Sequence, residues 1–183
     1  MLASADGGLS WRDLPAPAGA SSLSQLSCSA WTSCVAVGSL GAPGSLGTQS
    51  QSVVFWTDDG GRSWARAAMP FLPDGRPSAM QLSGAQVACS ADSCTAVLST
   101  RTFLAPSEYS FLVSSDHGRT WSLDRSPRAL GQVAANADIE ALTCNGAGVC
   151  AAVGDSGGAI FYSHDGGRSW ATAQGSGGAP PWA

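Results

Sequence analysis

The chain has 183 residues, a mass of 18.4 kDa and a net charge of −4, and its nine basic residues are all Arg. It lacks the basic face that nucleic acid requires and any apolar run near the roughly 18 residues of a membrane helix, so neither a nucleic-acid partner nor membrane insertion is expected. Gly, Pro and Ser make up a third of the residues, yet 44% are hydrophobic and seven are Trp. That mixture suits many short strands joined by many turns and argues against a helical bundle.

In chain order, the first twenty residues, MLASADGGLSWRDLPAPAGA, have no basic start and no apolar run. They do not read as a signal peptide, so an exported protein would be present here as a mature form or a fragment. Residues 1–15 read as the last two strands of a unit, around the turn Ser4-Ala-Asp6-Gly-Gly8-Leu-Ser10-Trp11. A whole unit follows over about 21–68. It holds a strand at Ser24–Ser27, a polar turn between Cys28 and Cys34, and a strand Cys34-Val-Ala-Val37. After a loop at Ser39–Gln51 come the run Ser52-Val-Val-Phe-Trp56, the turn Thr57-Asp-Asp59-Gly-Gly61-Arg-Ser63-Trp64 and a strand to Ala67. The next unit, about 79–126, repeats this order with Cys89 and Cys94, Tyr109-Ser-Phe-Leu-Val113, Ser114-Ser-Asp116-His-Gly118-Arg-Thr120-Trp121 and a strand to Asp124. The last, about 134–173, has Cys144 and Cys150, Ala159-Ile-Phe-Tyr162, Ser163-His-Asp165-Gly-Gly167-Arg-Ser169-Trp170 and a strand to Thr172.

The recurring turn is [ST]-x-D-x-G-x-[ST]-W, with its Asp at 6, 59, 116 and 165. Each unit reads as antiparallel strands A to D in one all-β domain, with the Cys pair at the A–B turn and the Asp motif at the C–D turn. The invariant Gly predicts positive φ. The Asp carboxylate is expected to accept amides of its own turn, the hydroxyls to add local bonds, and Trp11, Trp64, Trp121 and Trp170 to bury large area. Asp6, Asp59, Asp116 and Asp165 therefore read as structural and not as catalytic acids or calcium ligands.

This pattern resembles the Asp-box, or BNR repeat, of sialidases, sortilin-type receptors, some other glycoside hydrolases and the photosystem II assembly-factor family. Those proteins are β-propellers, in which the box closes the hairpin between the third and fourth strands of a blade. The resemblance implies about three complete four-stranded blades plus an N-terminal partial blade. Because propellers usually have four to eight blades, the expectation is a fragment of a larger propeller in preference to an open arc closed by self-association. The Cys pairs before an Ala-Val strand also resemble repeats of exported actinobacterial proteins.

Six cysteines allow 15 pairings. Repeat symmetry selects Cys28–Cys34, Cys89–Cys94 and Cys144–Cys150, with buried free thiols as the alternative. Zinc is disfavoured because no pair has CxxC spacing and both His lie inside boxes, so no metal and no cofactor are expected. Three disulfides would place the protein in an oxidising, extracytoplasmic compartment.

The B–C and D–A loops lie on the face opposite the boxes, where propellers commonly bind near the axis. Those loops are Ser39–Gln51, Arg101–Glu108, Gly154–Gly158, Ala67–Ser78 and Asp124–Ala134. They carry Arg76, Arg101, Arg125, Arg128, Glu108, Asp74 and Asp155, and guanidinium forks suit an anionic or hydroxylated ligand. The sequence reads as a non-catalytic, exported binding or scaffold module for a protein or carbohydrate partner, with self-association closing the ring as a further possibility. The alternative is a sialidase-like or other Asp-box glycoside hydrolase. The Phe/Tyr-Arg-Ile-Pro segment of sialidases is absent, with Gly75-Arg76-Pro77 the nearest stretch, and the chain has only two Glu and two Tyr.

Overall fold

The chain is seen in a computed structural model, which describes residues 1–40, 51–69, 86–102, 105–124, 139–154 and 160–172. Every regular element among them is a strand. An N-terminal hairpin joins β1 (Leu2–Ala3) to β2 (Arg12–Asp13). The first sheet is β3 (Ala20–Cys28), β4 (Cys34–Leu40), β5 (Gln51–Thr57) and β6 (Ala65–Arg66). The second is β7 (Gln86–Ser90), β8 (Ser93–Thr102), β9 (Ala105–Ser114) and β10 (Ser122–Asp124). The third is β11 (Ile139–Cys144), β12 (Cys150–Gly154), β13 (Ile160–Ser163) and β14 (Ala171–Thr172). Each sheet is a four-stranded antiparallel meander in chain order.

The last strand of each sheet is shorter than its β-prone sequence suggests. In the first sheet Ser63 and Trp64 belong to the turn, because the Ser63 amide is spent on Asp59, so pairing begins at Ala65↔Trp56. Arg101–Glu108, expected as a loop, is instead largely strand: β8 runs through Thr102 and β9 starts at Ala105, with Thr100↔Glu108 in register. The segment Arg101-Thr-Phe-Leu-Ala-Pro-Ser107 has no Gly, Asn or Asp to hold a wide loop, and its turn-forming Pro106 and Ser107 fall inside β9. The bounds expected for the Ser39–Gln51 loop shrink similarly, since β4 continues to Leu40; residues 41–50 lie outside the described residues.

The sheets stack face to face. Val35, Val37 and Val54 of the first sheet pack against Val87, Ala96, Leu112 and Trp121 of the second. The other face of the second sheet, with Ala88, Val97 and Phe111, packs against Leu142, Ala152, Phe161 and Trp170 of the third. Both faces of the central strands are thus covered, which explains why Cys34-Val-Ala-Val-Gly38 and Cys94-Thr-Ala-Val97 read as continuous buried runs rather than alternating ones. Phe55, Phe111 and Phe161 are fully buried, and each contributes on the order of 1.5–3 kcal/mol of transfer free energy. Polar bonds pin neighbouring A strands together: the Val87 amide donates to Gln25 Oε1 at 2.5 Å, the Cys89 amide to Ser27 Oγ at 2.9 Å, and the Ser90 hydroxyl to the Asn145 carbonyl.

Candidate functional site

The four Asp boxes share one hydrogen-bond scheme. In the second, Thr57 Oγ1 donates to Asp59 Oδ1 at 2.8 Å and accepts the Gly61 amide at 3.0 Å. The Ser63 amide donates to Asp59 Oδ1 at 2.9 Å and the Ser63 hydroxyl to Oδ2 at 2.6 Å. The same contacts recur around Asp6, Asp116 and Asp165. Both carboxylate oxygens are therefore engaged by the box itself. The Ser10 hydroxyl and amide hold the Asp6 carboxyl down at about 2, and the Ser63 hydroxyl and amide hold Asp59 below its ordinary range as well. At Asp116 and Asp165 partial burial pushes upward, but the hydroxyls and amides of Thr120 and Ser169 outweigh it and the carboxyls again stay low. Each box carboxylate thus accepts hydrogen bonds on both oxygens from its own turn.

The Gly at the fifth box position has φ near +84 to +94°, as predicted, and the position before it is left-handed too, even where it is His117 at +60°. The tryptophans differ. Trp121 and Trp170 are buried and donate to the Gly118 and Gly167 carbonyls at 3.0 and 2.9 Å. Trp64 Nε1 is buried with no partner among the described residues. Trp11 makes the same ring-to-carbonyl bond at 3.0 Å but is 61% exposed, contrary to the expected burial, because no sheet covers the outer side of the N-terminal hairpin among the described residues.

The A–B and C–D turns of each sheet lie on one face, tied by backbone bonds from Gly60 to Thr32 (2.9 Å), His117 to Asp92 (3.1 Å) and Gly166 to Gly148 (2.8 Å). The three disulfides are those that repeat symmetry selected, each bridging strands paired in register. They point to an oxidising environment, and no helix among the described residues is long and apolar enough to cross a membrane. Among the described residues no cluster of His, Cys, Asp and Glu is arranged to hold a metal ion.

Of the residues expected to bind a ligand, Arg76, Arg125, Arg128, Asp74 and Asp155 lie outside the described residues. Arg101 lies on β8 and Glu108 on β9, towards the end of that hairpin remote from the Asp box. On the box face, sequence reasoning missed the seams between sheets. At the first seam Arg119 pairs with Asp58 at 2.9 Å and lies over the Trp56 ring at 4.8 Å, and His117, whose Nε2 sits 3.4 Å from Asp92 of its own sheet, meets Ser29 Oγ of the first sheet through Nδ1 at 3.5 Å. At the second seam the counterparts of Asp58 and Trp56 are Ser115 and Val113. There the surface opens into a groove of about 490 Å³ lined by Asp92, Ser115, His164 and Arg168 among others. The available signal was the variable residue before each box Asp, which decides what the next box's Arg meets.

Comparison with known proteins agrees with this geometry. Residues 161–172 match the family described as BNR/Asp-box repeat. A search of curated proteins found no significant match. Among solved structures the chain is similar to "YCF48 bound to D1 peptide", with a TM-score of 0.55 and 16% identity over 85% of this chain and 40% of that one. It is similar also to YCF48 from Cyanidioschyzon merolae, with a TM-score of 0.52 and 22% identity over 88% of this chain and 39% of that one. The chain thus spans about two fifths of the length of the structures it matches. Such identities show the fold alone, and with the repeated hairpins they make this chain an all-β protein carrying Asp-box repeats on the architecture of part of a β-propeller.

Proposed function

We propose that the chain is a non-catalytic binding module that holds a protein segment on the loop face opposite its Asp boxes. The observation that carries this reading is that every box carboxylate is bonded on both oxygens by its own turn. The repeated polar residues are consumed by the scaffold, so recognition falls to the unrepeated ones: Arg76, Arg101, Arg125, Arg128, Glu108 and Asp155. Loops on a rigid scaffold are where binding residues usually lie, and planar guanidinium forks suit carboxylates of an acidic segment. The peptide held by the YCF48 structure supports a protein partner over a glycan. The disulfides support an exported setting, and the exposed outermost sheet faces support association of copies.

The test is a titration of the partner against single Ala variants of Arg76, Arg101, Arg125 and Arg128, with Arg168→Ala on the box face as the control. Loss of affinity at two or more of the four, with Arg168→Ala within a factor of about two, is the expected result. The reverse pattern would move the site to the groove between the second and third sheets. Turnover of a fluorogenic sialoside by the folded chain would replace the binding reading with a hydrolase.

A further inference from the structure

Two faces of the array break its burial pattern, and they are complementary. Inside the array, each box hairpin seats its leading face on the trailing face of the sheet before it. Trp121 and Leu112 pack on Val35, Val37 and Val54, while Trp170 and Phe161 pack on Val97 and Phe111, with the Phe111 and Trp170 rings 5.5 Å apart. Gly118 lies against Val35 and Gly167 against Thr95, each so closely that a Cβ there would overlap the neighbour. The register gives the equivalent positions of the third sheet's trailing face: Ala151 paired with Tyr162 and Val153 with Ile160. Among the described residues no sheet covers this face, and Val153 is 39%, Ile160 48% and Tyr162 38% exposed. At the other end the leading face of the N-terminal hairpin is open as well. Leu2 is 62% exposed and Trp11 61%, where their counterparts Leu112 and Trp121 are buried, and Leu9 is 89% exposed.

We propose that residues 1–14 of a second copy of this chain seat on the β12–β13 face, as each internal box hairpin seats on the sheet before it, and that two such contacts close a dimer. The match includes the exceptions to the repeat. At the first internal seam a charge pair and a cation–π contact, Arg119 with Asp58 and Trp56, join the two sheets. At the open ends the Arg position is Leu9 and the Asp position is His164, whose ring meets that of Tyr162 edge-on at 5.4 Å. Both partners have lost their charge requirement together, and Leu9 of one copy sits on the Tyr162–His164 rings of the other. Trp11 then covers Ile160, Leu2 lies among Ala151, Val153 and Ile160, and Gly8 meets Ala151, whose methyl side chain leaves room for it. Counted over the described residues, one copy contributes three sheets and a hairpin, so two such contacts place six sheets and two hairpins in one ring. Closure also removes open sheet faces that otherwise invite non-specific association.

Sedimentation equilibrium of the 183-residue chain from about 1 to about 100 µM tests this. The expected result is a monomer–dimer equilibrium, with Ile160→Asp raising the dissociation constant at least about tenfold. Ile160 is half exposed, so this variant should melt like the dilute parent. In a mixture of Leu9→Cys and Tyr162→Cys chains, a short bis-maleimide should join position 9 of one copy to position 162 of the other. A monomer across the whole range, meaning that some other partner covers this face, overturns the proposal. So does a dimer indifferent to Ile160→Asp, or cross-links only between like positions, 9 to 9 or 162 to 162. None of these readouts depends on the loop-face arginines.

Discussion

In each Asp box one carboxylate gathers two hydroxyl protons and one amide proton from its own turn. The arrangement fixes a sign for pH dependence. A carboxyl whose folded pKa is depressed contributes stability above its unfolded pKa, near 3.9, and that contribution is lost as pH falls through the folded value. All four box aspartates are depressed, Asp6 to about 2. The melting temperature should therefore hold down to about pH 4 and fall between about pH 4 and about pH 2; a flat profile through that window would remove the boxes from the stability balance. The indole rings supply a second residue-scale prediction. Trp121→Phe and Trp170→Phe each delete a buried bond to a glycine carbonyl and leave that carbonyl short of a donor, whereas Trp64→Phe deletes a buried N–H that has no partner among the described residues. Urea unfolding should show the first two losing about 1 kcal/mol more than Trp64→Phe beyond what ring size explains, and equal losses at all three would contradict this account.

At the scale of the element, the glycine at the fifth box position does two jobs: it turns the chain at positive φ and lets one sheet approach the next. The two can be separated. Gly118→Ala drives a methyl into Val35 and Gly167→Ala into Thr95, while at Gly8 the nearest atom to a new Cβ is Trp11 Cζ2 at 3.7 Å. All three carry the left-handed cost of about 1–2 kcal/mol, and only the first two add overpacking of about 1–3 kcal/mol. Thermal melts of dilute protein should rank Gly8→Ala well above Gly118→Ala and Gly167→Ala. The boxes, the disulfide pairing and the four-stranded order were legible in the sequence because the bonds that define them are local and recur in each unit. Strand ends were less so. The β8–β9 hairpin runs past Arg101 and Glu108 in a segment without Gly, Asn or Asp, an absence that a search for polar loops passes over. The exposure of Trp11 was not legible from its box, since burial of that ring depends on a sheet elsewhere in the chain, although Leu9 in place of the Arg at 62, 119 and 168 was a visible sign that this box faces something different.

For the molecule as a whole, cohesion passes from each sheet to its neighbours. The first sheet meets the N-terminal hairpin, with Gly61 against Leu14, and meets the second sheet through the cluster around Val35 and Leu112. The second is covered on both faces, so Ala96 and its neighbour Val97 are both buried. The third is covered on one face only among the described residues: Phe161 and Ala152 are buried while Val153, Ile160 and Tyr162 are not. When stability is a sum of intrinsic and nearest-neighbour terms, the unit with one neighbour opens first. On that open face the second strand of the third sheet carries Ala151 where the first sheet has Val35, so it offers less apolar area to bury. Its disulfide, Cys144–Cys150, closes a loop within one residue of the length of the other two and cannot offset the missing interface. Native-state hydrogen exchange on dilute protein should therefore find the β12 and β13 amides exchanging through a lower-energy opening than those of β4, β5, β8 and β9. Raising the concentration, or capping the face with a second copy, should slow the third sheet selectively. Uniform protection across the three sheets in the dilute monomer would mean that they unfold as one unit, and that the open face carries no deficit of stability.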